Sequence, residues 1–158
     1  GLGDVYKRQT TFIENGQGDV LIAWENEAFL SMQEEPGEYE IVVPSASVLC
    51  QPTVAVVDEV VDRRGSRAVA EKYLNYLYSD EAQKLAGDNY YRPADQDIAK
   101  QFYTEEGTHE ITEVPSDGKW MVTDVAMADI SHFGGWDVVI EKHFSDGGIF
   151  DTIYERNR

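Results

Sequence analysis

Gly16-Gln17-Gly18-Asp19-Val20-Leu21-Ile22-Ala23-Trp24-Glu25-Asn26-Glu27 joins a glycine turn, an apolar run and an abrupt polar end. Gly16 and Gly18 allow backbone angles that side chains forbid, so they mark a sharp turn. Val20 to Trp24 is an unbroken apolar run of strand length. A run without alternation suits a strand covered on both faces, as in an α/β sheet. The run stops at Glu25-Asn26-Glu27, where Asn26 is a good helix N-cap and Glu27 suits the positive end of a helix dipole. The pattern therefore predicts a buried strand over 20–24 and a helix entered through Asn26. Trp24 then lies at the carboxyl end of a strand, where open α/β sheets bind ligands. Its indole N–H donates and does not accept, which suits an anion. Plain core packing is the competing role for a tryptophan in this position.

Working outward, Thr10 to Gly16 reads as a short helix closed by glycine. Ala28, Phe29, Leu30 and Met32 continue the helix after Asn26, and Pro36-Gly37 ends it. Tyr39 to Val43 reads as a strand stopped by Pro44. Val48-Leu49-Cys50 and Thr53 to Val57 form a second β-rich stretch. A helix is expected from Ser66 to Tyr78, with Val69, Ala70, Tyr73, Leu74 and Leu77 on one core-facing side. Ser79-Asp80-Glu81 starts the next helix, which Gly87 closes. Asn89-Tyr90-Tyr91-Arg92-Pro93 is a turn rich in aromatic hydroxyls. There, Arg92 reads as one half of a structural ion pair rather than as an anion ligand, because desolvating a charge pair at a ligand is costly. Asp95 to Tyr103 is a further helix. Residues 105–129 show strand character at Ile111, Val114 and Trp120-Met121-Val122 but have no assigned place. Gly134-Gly135 reads as a tight turn that lets Trp136 pack, with bare N–H groups for an anion as the rival reading.

Size and charge narrow the function. The 158 residues, 42% of them hydrophobic, suffice for a globular core. A net charge of −17 argues against nucleic acid or an anionic membrane surface as partner. An anion site here must be built from local dipoles and hydrogen bonds, against the global field. Cys50 is the single cysteine, so no internal disulfide forms, and its apolar setting suggests a small buried hydrophobe. No segment reads as a membrane span or a signal peptide. A Gly-x-Ser-x-Gly elbow and a phosphate loop are both missing, and Gly16-x-Gly18 precedes a strand, which is the wrong place for a dinucleotide turn. His109, His132 and His143 lack metal spacing. A carboxylate pair of the glycosidase kind would be an unmarked choice among 30 acids. The expectation is no catalytic residue, no metal and no cofactor.

The string Gly16-Gln17-Gly18-Asp19-Val20-Leu21-Ile22-Ala23-Trp24-Glu25-Asn26-Glu27-Ala28 resembles the periplasmic sulfate-binding proteins of bacterial ABC importers, the sulfate/thiosulfate solute-binding family. Lys72 to Ser79, Tyr91-Arg92-Pro93, Phe133-Gly134-Gly135-Trp136 and His143 to Gly148 extend the resemblance, which covers about Thr10 to Tyr154. It implies an α/β chain forming part of a type II periplasmic-binding-protein fold, a two-lobed clamshell that closes over its ligand by a hinge. On that reading the chain is a carboxyl-terminal fragment. Residues 1–9, where Gly1-Leu2-Gly3-Asp4-Val5 echoes Gly16 to Val20 before Tyr6-Lys7-Arg8-Gln9 departs, read as an artefactual or non-native leader, while the resemblance places 10–46 at the end of the second lobe and 47–158 in the carboxyl-terminal part of the first lobe. Apolar surface is then expected where further strands would pair. The resemblance implies Trp24 as a sulfate donor. It places a second donor, a backbone N–H, near Val5, where the family's Gly-Ala-Arg-Gly pattern does not occur in this sequence. The implied partners are sulfate or thiosulfate and a membrane permease, the implied compartment is the periplasm, and no reaction is catalysed. Alternatives are binding of another oxyanion such as molybdate, or a structural and interaction module that binds no anion.

Overall fold

The computed structural model describes residues 10–156, so the leader over 1–9 and the donor slot near Val5 lie outside the described residues. Helices and short strands are mixed, as in an α/β chain. The chain divides into two compact units. One runs up to Val43 and resumes over Val56–Thr123; the other takes Pro44–Ala55 and the chain from Asp124 onward.

The first unit begins with one π-type turn, Thr10–Glu14, followed by helix α1, Glu25–Glu34. Strand β1, Ile41–Val42, pairs antiparallel with the strand Glu110–Ile111 in the register Ile41 to Ile111. Helices α2 (Asp58–Arg64) and α3 (Arg67–Tyr76) meet at Gly65, which takes the left-handed conformation at φ 63°. Arg67 straps this corner by bonding Asp58 at 2.6 Å and Asp62 at 2.7 Å. Helix α4, Asp80–Asp88, is capped by the Ser79 hydroxyl, which accepts from the Ala82 N–H. Helix α5, Gln96–Ala99, is capped by Asp95 and runs on into a 3-10 turn, Lys100–Phe102.

The core of this unit gathers Phe29 and Met32 of α1, Ile98 and Ala99 of α5, Phe102, Ile111 and the run Trp120-Met121-Val122. Of residues 105–129, unplaced in the sequence, Ile111, Trp120, Met121, Val122 and Val125 are buried. Trp120 is 1% exposed and donates its indole N–H to the Gly87 carbonyl at 2.9 Å. Gly87 does not close α4, whose C-cap is Asn89. It lies inside the helix because Phe102 leaves no room for a side chain: a Cβ there would sit 2.1 Å from the ring. Gln83, also buried, accepts from the N–H groups of Ala94 and Asp95 and donates to the Leu77 carbonyl.

In the second unit β2, Ala46–Val48, pairs in parallel with Ala126–Ala128. With β1 and β2 these paired strands are β3 (Glu110–Ile111) and β4 (Ala126–Ala128). Asp129 caps the 3-10 turn Ile130–Phe133. Helix α6 (Trp136–Val139), a π-type turn (Ile140–Phe144) and helix α7 (Ile149–Arg156) follow.

Several expectations are corrected. Residues 20–24 form no strand, and Val20 and Ile22 are 82% and 91% exposed. An extended segment becomes a strand only by pairing, and among the described residues none pairs with it. Thr53 to Val57 likewise stays unpaired. The core-facing side expected of α3 is not buried, with Val69 and Tyr73 exposed. Cys50 is exposed, not buried. Gly134 and Gly135 make the expected turn, at φ 88° and 90°, but Trp136 stays 65% exposed. No helix among the described residues is long and apolar enough to cross a membrane.

Candidate functional site

Trp24 is the N-cap of α1, with extended backbone (φ −68°, ψ 145°). Its carbonyl accepts from the Ala28 N–H at 3.0 Å, so its main chain is fixed to the helix. The helix starts at Glu25, earlier than the Asn26 cap predicted from sequence. Asn26 does not cap; its side-chain amide donates to the Tyr91 hydroxyl at 3.1 Å. Glu25 and Glu27 occupy the first turn, at the positive end of the helix dipole.

The Glu25 carboxylate accepts two bonds from Arg92, from Nε at 2.6 Å and from Nη2 at 2.8 Å. Arg92 is therefore the structural ion-pair member that the sequence suggested, but its partner lies 67 residues away rather than among nearby acids. The same Nη2 also donates to the Val122 carbonyl at 2.9 Å. Two residues before Arg92 in the turn, the Tyr90 hydroxyl accepts from Gln33 Nε2 at 2.6 Å. Tyr90 is the one non-glycine among the described residues at positive φ, 61°. Its ring stacks on Phe29 at 4.7 Å and meets Trp120 edge-on at 5.7 Å, and burial pushes its phenol above the ordinary value against the Gln33 bond. Helix α1 is thus bonded at three points to the turn Tyr90-Tyr91-Arg92. Sequence reasoning missed this linkage. The hydroxyl-rich composition of the turn was its only signal.

The Trp24 side chain is 51% exposed. Among the described residues no hydrogen bond engages its indole N–H. A half-exposed neutral donor next in sequence to a closed ion pair can bind an anion without presenting net charge. Elsewhere in the first unit a shallow groove of about 380 Å³ is lined by Glu105, Glu110, Glu113 and Asp117 against Lys119. Its carboxylates repel anions, and Trp24 is not part of it. Among the described residues no cluster of His, Cys, Asp and Glu is arranged to hold a metal.

Residues 2–92 match the family model described as bacterial extracellular solute-binding protein, and the chain belongs to that family. The chain is similar to the sulfate-binding protein of Salmonella typhimurium (strain LT2), 46% identical over 147 residues, and to that of Escherichia coli (strain K12), 44% identical over 147 residues. Both alignments cover 92% of this chain and 40% of the relative. The thiosulfate-binding protein of Pseudomonas aeruginosa is 42% identical over 149 residues, covering 94% of this chain and 40% of its own length. The chain spans about two-fifths of the length of these curated relatives.

Proposed function

We propose that this chain belongs to the solute-binding component of an ABC importer, that Trp24 is one donor in a site for sulfate or thiosulfate, and that the loaded protein delivers the anion to a membrane permease from the periplasm. The observation that carries the reading is Trp24 itself: a half-exposed indole whose N–H has no partner among the described residues, on a backbone fixed by the start of α1. The names of the relatives supply the anion class. The protein binds and releases; it catalyses no reaction.

On this reading the chain supplies part of a type II clamshell, with 10–46 at the end of the second lobe and 47–158 in the first. The unpaired, exposed run over 20–24 fits such a fold, because in a protein of the relatives' length other strands would pair with it. A tetrahedral dianion held by neutral donors avoids the desolvation cost of a buried charge pair, and this suits a chain of net charge −17.

The test is calorimetric titration of the complete protein with sulfate, thiosulfate and molybdate, at ionic strength matched with chloride. The expected result is saturable binding of sulfate or thiosulfate that Trp24→Phe weakens by about tenfold or more, the size of one charge-assisted bond. Binding that is equal in Trp24→Phe would remove the tryptophan from the site. Preference for molybdate would change the anion.

A further inference from the structure

We propose that Arg92 is a positioning residue for the Trp24 site, and that Glu25 keeps its charge away from the anion. The proposal deepens the reading of Trp24 as an anion donor and rests on it.

Three consecutive residues behave differently at the start of α1. The Trp24 side chain is half exposed. Glu25 and Asn26 are both tied back, to Arg92 and Tyr91, which are themselves consecutive. Gln33, near the other end of the helix, bonds Tyr90. A ten-residue helix is thereby held along its length by one three-residue turn. Two planar N–H groups on one carboxylate fix angle as well as distance, which a single bond does not.

The anchor continues inward. Arg92 also bonds the Val122 carbonyl, in the buried run that carries Trp120. A continuous path of short bonds therefore leads from the core through Arg92 and Glu25 to the main chain of Trp24. A donor needs such support to meet an anion at hydrogen-bond distance. The same pairing determines what the anion meets. Both Glu25 oxygens face the guanidinium, at 2.6 and 2.8 Å, so the cation is neutralised by its partner and is not offered to a ligand.

This gives opposite signs for two roles. If Arg92 positions Trp24, releasing it from Glu25 loosens the donor and weakens binding. If Arg92 is a direct anion ligand, releasing it from Glu25 strengthens binding. Glu25→Gln distinguishes them, because glutamine keeps the volume and leaves the Arg92 bond to Val122 in place. The readout is the ¹H–¹⁵N indole cross-peak of Trp24 in the complete protein, assigned by its loss in Trp24→Phe, with the Trp120 cross-peak as internal control.

Without sulfate, Glu25→Gln is expected to shift or broaden the Trp24 peak and leave the Trp120 peak in place. On titration with sodium sulfate against chloride, affinity is expected to fall about tenfold, the size seen when the support of a ligating group is removed. Arg92→Lys, which keeps the charge but not the fork, is expected to move the Trp24 peak in the same direction by less. An unmoved Trp24 peak in both variants overturns the proposal. So does equal displacement of the Trp24 and Trp120 peaks, which marks a general folding role, and so does tighter sulfate binding in Glu25→Gln. A wild-type protein whose Trp24 peak ignores sulfate refutes the donor reading separately, while the sulfate-free peaks still decide whether Arg92 positions Trp24.

Discussion

Trp24 and Trp120 carry the same side chain in one compact unit and have opposite fates. Trp120 is 1% exposed, its N–H bonded to Gly87 and its ring among Phe29, Tyr90 and Phe102. Trp24 is 51% exposed, fixed by its main chain and with its indole N–H unused among the described residues. A buried indole must satisfy its N–H locally, and once satisfied it has nothing left to offer a ligand. An outward indole contributes little to the fold and keeps its donor. The difference separates residues that build the unit from the residue proposed to meet the anion, although Tyr90 and Arg92 link the two regions.

The largest effects are expected on the Trp120 side. Trp120→Ala removes a buried aromatic and its bond to the Gly87 carbonyl, which keeps the Tyr90 N–H, at an expected cost of about 3–5 kcal/mol, read as a fall in the denaturant midpoint. Gly87→Ala strains the packing of α4 against Phe102. Its Cβ would fall 2.1 Å from the Phe102 ring, so the ring must move, with an expected loss of about 1–3 kcal/mol by chemical denaturation.

The linkage between the two regions is expected to matter less for stability. Breaking the Glu25–Arg92 pair by Glu25→Gln replaces two charge-assisted bonds with weaker ones, for a loss of about 1–2 kcal/mol. Trp24→Phe is expected to change stability by less than about 0.5 kcal/mol, as for other exposed positions. A thermal melt checks both, and a large loss in Trp24→Phe would make Trp24 a core residue like Trp120.

The smallest effect lies in the second unit. Bonds from the Ser131 hydroxyl, His132 and the Ser131 N–H hold the Asp129 carboxyl down to about 2. A folded-state pKa below the unfolded value stabilises the folded form above the ordinary carboxylate range and ceases to do so as pH falls through about 2. The 3-10 turn Ile130–Phe133 is therefore expected to keep its cap through mild acid. A ¹³C carboxyl titration of Asp129 checks this, and an inflection near 4 would contradict it.

The two tryptophan regions also show what the sequence made legible. Helices α3 and α4 were visible because cap and periodicity are local: Ser79 caps α4 as its neighbours Asp80 and Glu81 suggest. The Trp24 string identified the family because its letters are specific, and the matched residues 2–92 include it. Trp120 was unplaced because its environment comes from Gly87, Phe102 and Tyr90, brought together only by tertiary packing. Apolar runs at 20–24 and 53–57 have the composition of strands because composition records what a segment can pair with, whereas a strand forms only where a partner backbone is present. The same limit hid the Glu25–Arg92 bond, whose ends lie 67 residues apart. The glycine expected to close α4 instead makes room for a ring inside it, which no single-position signal distinguishes.

The most direct measurement of the central claim is a ¹H–¹⁵N spectrum of the indole region of the complete protein, recorded as sodium sulfate replaces sodium chloride at constant ionic strength. The Trp24 N–H peak is expected to move downfield and saturate, with slowed exchange against water, while the Trp120 peak stays where it is. A Trp24 peak that does not move, or a Trp120 peak that moves with it, would remove Trp24 from the anion site.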